Sequence, residues 1–123
     1  EHGFRGYIHL KTIPDADPLL LEEAGRWADR LSINIELPRD ESLRALAPEK
    51  DAPGIRRAMA AMRLRIDAAR EAKRTERRAA APRFAPAGQS TQMIVGADGA
   101  DDAQVLGTST LLYAGYGLRR VYY

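Results

Sequence analysis

The residues best equipped for chemistry in this chain stand where its strands should end. Glu36 follows Asn34 by two positions and precedes Leu37 and Pro38, so a carboxylate and an amide share one face of an extended segment. Buried in a lumen, that carboxylate needs a partner, either a cation such as Lys11 or a ligand hydroxyl. Spacing favours neither. His9 and Lys11 form a second pair two residues apart, ahead of Pro14. A lone histidine is more often a hydrogen-bonded structural group, and the only other histidine is His2. Two histidines, no cysteine and scattered carboxylates give no metal-ligand spacing. A third set is Gly88-Gln89-Ser90-Thr91-Gln92, followed by Gly96. Its amides could read a base or ribose edge, and its glycines let backbone approach a flat ring. The plainer reading is a polar turn into a strand. A GxGxxG fingerprint and a P-loop are both absent, so a glycine loop cradling phosphate is not supported. Ser90 and Thr91 have no histidine beside them in sequence, so a nucleophilic serine lacks a base.

Composition narrows the classes further. The chain has 123 residues, 45% hydrophobic and 29% charged, with a formal net charge of +2. That is the mix of one ordinary soluble domain. With no cysteine, the chain by itself holds no disulfide, thiolate zinc site, cysteine nucleophile or iron–sulfur cluster. The same absence suits a reducing compartment, and a cytoplasmic location is expected. No apolar run approaches the roughly 18 residues of a membrane span, and no signal segment opens the chain. Glu1 is not a methionine and Tyr122-Tyr123 reads as mid-strand, so both ends are expected to be cuts. Charge is uneven. Residues 55–78 carry nine basic and three acidic side chains, and such a helix could track phosphates or meet a protein partner. The bland alternative is a solvated face whose aliphatic stems cover a core. Aromatic residues interleaved with the charge, as a stacking platform needs, are missing.

The elements that must position these residues follow from periodicity. Residues 7–13 alternate, with Ile8 and Leu10 on one face and His9 and Lys11 on the other, which predicts a strand. Asp17-Pro18 signals a helix start, and Leu20, Ala24, Trp27 and Leu31 form its expected buried stripe. A second strand is expected over 32–37, then a short helix through Leu43 and Leu46. The 4-3-4-3 spacing of Ile55, Met59, Met62, Ile66 and Ala69 predicts a long helix through the basic segment. A third strand is expected over 91–95, closed by Gly96. A last helix carries Val105, Leu112 and Tyr116, and a fourth strand begins at Arg120. Strand and helix alternate throughout, which predicts a parallel sheet covered by helices. Fully buried strands would be aliphatic on both faces. Here His9, Lys11, Asn34 and Glu36 oppose the aliphatic side, as on the lumen wall of a barrel, whose reactive groups gather at strand carboxyl ends.

Five stretches carry a family resemblance: Gly6-Tyr7-Ile8-His9-Leu10-Lys11-Thr12-Ile13-Pro14; residues 28–38, with Ser32-Ile33-Asn34-Ile35-Glu36-Leu37-Pro38; Leu46-Ala47-Pro48-Glu49-Lys50-Asp51; residues 86–97, from Pro86-Ala87-Gly88 to Val95-Gly96-Ala97; and Arg119-Arg120-Val121-Tyr122-Tyr123. In the same order and over nearly the whole chain, they resemble radical S-adenosylmethionine (radical SAM) proteins assigned to DNA modification or repair. The resemblance implies an α/β fold: about strands 3 to 6, with their helices, of a parallel partial (β/α)6 TIM-like barrel. Residues 1–123 would form that partial domain, with an Arg-rich helical insertion at about 55–80. It implies S-adenosylmethionine and a [4Fe–4S] cluster as cofactors, the cluster held by a Cys-x3-Cys-x2-Cys loop upstream of Glu1. The parent protein would cleave S-adenosylmethionine to a 5′-deoxyadenosyl radical. Its partners would be a nucleic-acid substrate and an electron donor such as flavodoxin or ferredoxin. By position, Asn34 and Glu36 would face the ribose and methionine of S-adenosylmethionine. Gln92, Val95, Gly96 and Ala97 would lie beside the adenine, and His9 and Lys11 would line the lumen near substrate. No catalytic residue and no metal ligand is assigned within this chain, and the segment alone is expected to be inactive and prone to self-association. Asp15 stands where the family has glycine, and residues 107–110 depart from its usual pattern. The alternative is a non-catalytic α/β module whose Arg-rich helix contacts nucleic acid or a protein.

Overall fold

Asp17 opens the first helix as its type predicts. Its Oδ1 accepts the Leu19 N–H at 2.8 Å, and Pro18, with no N–H to satisfy, takes the first helical position. In the computed structural model, which describes residues 3–75 and 82–123, eight elements follow one another. They are β1 (His9–Lys11), α1 (Pro18–Trp27), β2 (Arg30–Ser32), α2 (Asp40–Leu46), α3 (Ala52–Thr75), β3 (Gln89–Gln92), α4 (Asp102–Tyr116) and β4 (Arg120–Tyr122). His2 and the far end of the predicted Arg-rich insertion, with Arg77 and Arg78, lie outside the described residues.

The four strands form one all-parallel sheet in the order β1-β2-β3-β4. Spatial order equals chain order, so right-handed crossovers lay every helix on the same side of the sheet. The core confirms this. Leu31, Ile33, Met59, Met62 and Met93 are fully buried between sheet and helices, with Ile55 and Ile66 extending the predicted stripe of α3. The opposite face carries no helix among the described residues.

Three predicted details differ. The stripe of α1 is rotated by about one residue: Leu20 and Trp27 are 69% and 56% exposed, while Gly25 and Ala28 are buried. A Cβ on Gly25 would lie 2.2 Å from the Phe84 ring. The helix therefore presents its smallest residue to the core, and Trp27 turns outward to donate its Nε1–H to Glu23 at 2.6 Å. The second strand starts earlier than residue 32 and its regular ladder stops there. Thr91 is the cause: its hydroxyl donates to the Ile33 carbonyl at 2.7 Å and accepts the Ile35 N–H at 3.0 Å, standing in for backbone. Pairing resumes at an isolated bridge between Glu36 and Met93, with Glu36 at φ 66, a left-handed conformation costly for a residue with a Cβ. The third strand likewise begins at Gln89 rather than Thr91. Gln89 is 1% exposed, and its amide donates to the Met59 and Tyr116 carbonyls, joining α3 to the end of α4.

Candidate functional site

Alternation along the strands sorts their side chains cleanly. Leu31, Ile33, Gln89, Thr91 and Val121 are buried on the helix side. Their neighbours His9, Lys11, Arg30, Ser32, Asn34, Ser90, Gln92, Arg120 and Tyr122 therefore share the helix-free face. Toward the carboxyl ends of the strands, His9, Lys11, Ser32, Asn34, Gln92 and Tyr122 surround an open hollow of about 180 Å³, with Thr91 at its floor.

His9 leans across β2. Its Nε2 lies 3.3 Å from the Ser90 hydroxyl, and its ring centroid is 6.3 Å from that of Tyr122. A histidine thus reaches Ser90 in space, although none stands beside it in sequence. Residues 81 positions apart in sequence meet because two parallel pairings bring β1 and β3 to either side of β2. The pair is no catalytic triad: Ser90 is fully buried, and no carboxylate holds His9 among the described residues. Burial first, and then the charge of Arg30, lower the His9 pKa below its ordinary 6.5, so the ring is neutral at pH 7.

Arg30 reaches Tyr122 Oη with Nη1 at 3.4 Å and stacks its guanidinium 5.9 Å from the Tyr7 ring centroid. Its Nε is buried and has no hydrogen-bond partner among the described residues. Glu36 does not pair with Lys11. Its Oε1 lies 3.7 Å from Lys50 Nζ, and the positive φ carries the side chain out of the hollow. Val95, Gly96 and Ala97 form an exposed loop beyond β3 and also lie outside the hollow. Asp98 ties that loop to the start of α2 by accepting Arg39 Nε–H at 3.2 Å. The structure therefore gathers His9, Lys11, Asn34 and Gln92, and leaves Glu36, Val95, Gly96 and Ala97 outside.

Sequence reasoning missed Arg30, Ser32 and Tyr122. A signal existed for two of them: Arg30 and Ser32 continue the two-residue spacing that leads to Asn34. The strand expected over 32–37 includes Ser32 but begins past Arg30.

The Arg-rich helix looks different in three dimensions. Arg56, Arg57, Arg63, Arg65, Arg70 and Arg74 each lie within 4 Å of a carboxylate, on Asp40, Asp51, Asp67, Glu22, Asp67 and Glu71 in turn. Most of the charge that could have tracked phosphates is answered within the chain. Among the described residues no group of three or more His, Asp or Glu side chains could hold a metal ion, and no helix is long and apolar enough to cross a membrane.

Comparison with known proteins finds no matching family model, no matching curated protein and no matching solved structure. The fold defines an α/β protein with a parallel four-stranded sheet and a polar hollow at the strands' carboxyl ends.

Proposed function

We propose that this chain is the lumen-forming part of a radical SAM enzyme acting on nucleic acid, a fragment spanning about strands 3 to 6 of a partial (β/α)6 barrel. One observation carries the reading. A parallel sheet wound in chain order, with helices on one side only, turns His9, Lys11, Asn34 and Gln92 toward one open hollow at the strands' carboxyl ends. A barrel places its ligands there, and the five stretches resembling radical SAM proteins supply these residues.

The residues present fit the cofactors unequally. The chain has no cysteine, so it offers a [4Fe–4S] cluster no ligand, and under this reading the ligands are supplied upstream of Glu1. For S-adenosylmethionine, Asn34 and Gln92 offer amides, and Ser32 and Tyr122 hydroxyls, suited to ribose, carboxylate and adenine edges. Glu36 could reach such a ligand only by releasing Lys50. Bound S-adenosylmethionine, given one electron through the cluster, would break into methionine and a 5′-deoxyadenosyl radical able to remove hydrogen from substrate. The residues of this chain would orient it, and neutral His9 would add no second positive charge beside Lys11.

The test is anaerobic reconstitution of the full-length protein with iron and sulfide, followed by reduction with S-adenosylmethionine. The expected product is 5′-deoxyadenosine, with Asn34→Ala and Gln92→Ala each lowering the yield. A full-length protein lacking the Cys-x3-Cys-x2-Cys loop, or yielding no 5′-deoxyadenosine, overturns the reading.

A further inference from the structure

The strand register builds a row across the polar face. Lys11 pairs with Ser32, Ser32 with Ser90, and Ser90 with Arg120, which sets two cations about 14 Å apart on one face of the sheet, with the buried Ser32 and Ser90 beneath the surface between them. Arg30 stands two residues before Ser32 on the same face, with its Nε buried and unpartnered. None of the residues around the hollow is a carboxylate. Glu36, the acid nearest to it in sequence, is engaged by Lys50. Lys11, Arg30 and Arg120 thus form no ion pair among the described residues, whereas six arginines of α3 do. Only Lys11 lines the hollow itself, but cations left without internal partners on one face are matched by charge from outside. A carboxylate brings one charge and two oxygens. A phosphate brings up to two charges and more acceptors, which suits several cations on one face.

We propose that the polar face between Lys11 and Arg120, with Arg30 behind it, receives a phosphate group of the ligand. Side chains rather than a glycine loop make this site. Assigning that phosphate to the substrate rests on the radical SAM reading; the phosphate site itself does not.

His9 sits among these groups, facing Arg30, Lys11 and Tyr122, and reports on the site. The experiment uses the chain with His2→Gln and labels the remaining imidazole with ¹⁵N. Its titration midpoint is read by NMR in inorganic phosphate, acetate and chloride at matched ionic strength. Phosphate is expected to raise the midpoint above that in chloride, because a bound anion offsets the Arg30 charge. Lys11→Gln should require about tenfold more phosphate for the same shift, the loss of one charge-assisted hydrogen bond. Lys73→Gln, on α3, should change nothing. An unchanged midpoint in phosphate overturns the proposal. So does acetate acting as strongly as phosphate, or Lys73→Gln weakening the effect as much as Lys11→Gln. The readout involves no S-adenosylmethionine, so a failed cleavage assay and a failed phosphate site remain separate results.

Discussion

Thr91 shows how much one hydroxyl can decide. Lodged between Ile33 and Ile35, it satisfies a buried carbonyl and a buried N–H that the neighbouring strand would otherwise serve. Thr91→Val keeps the shape and removes both bonds, so two buried backbone groups lose their partner. The variant should be less stable by about 2–4 kcal/mol, read from urea unfolding; a loss under about 0.5 kcal/mol would show that water replaces the hydroxyl. His9 gives a pH dependence. Its folded pKa lies below the 6.5 of the unfolded chain, so between the two values the unfolded state binds more protons. Stability therefore rises with pH through that window and levels off above about 6.5. Unfolding free energies measured from pH 5 to 8 should show that slope, and His9→Gln should flatten it. In sequence, the two-residue spacing of His9 and Lys11 already disclosed a polar face. The meeting of His9 with Ser90 could not be read there, because it depends on register between strands joined by long crossovers. The escape of Glu36 was hidden as well. A positive φ at a non-glycine residue arises from the surrounding pairing, and no residue type signals it.

Among the elements, the helices follow their sequence signals where spacing and core agree. The α3 stripe is as expected. The start of α4 is closed by a capping box in which Asp101 and Gln104 each accept the other's backbone N–H. Helix α1 turns a different face inward because its hydrophobic residues outnumber what one narrow face can bury, which leaves Leu20 and Trp27 outside. What selects the true side is steric: only Gly25 lets the Phe84 ring approach. Gly25→Ala places a methyl group inside that ring's position. Alanine's better helix propensity should be outweighed, with a net loss of about 1–3 kcal/mol. The combination Gly25→Ala with Phe84→Leu should recover part of it. A thermal melt in which Gly25→Ala alone raises Tm would refute this docking. Gln89 is polar by type yet buried by role, so its two carbonyl partners made it a core residue that alternation alone would not place.

At the scale of the whole molecule, the order of elements carried the α/β class with its parallel sheet, and the polar faces of two strands carried the side on which a site would form. Among the described residues the sheet has two open edges, β1 and β4. At β1, Ile8 accepts from Arg30 and Thr12 donates to Ser32, so by alternation the His9 and Lys11 amides point away from β2 with no strand beyond them among the described residues. Such an edge recruits another strand. Sedimentation velocity should show a mass that rises from 13.6 kDa with concentration, and Lys11→Pro, which removes an outward N–H, should hold it nearer the monomer. A mass that stays monomeric at all concentrations would contradict this.

The crossover from β2 to β3, the longest in the chain, divides the sheet in time as well as in sequence. Contacts between β1 and β2 span about 21 residues, as from Ile8 to Asp29, whereas Thr91 and Ile33 are 58 apart. The first crossover unit, β1-α1-β2, can close early. The join to β3 must wait until α3 has formed, because loop closure grows costlier with separation. Native-state hydrogen exchange should therefore find two units opening separately, with their boundary running along the Thr91 hydroxyl that stitches them together.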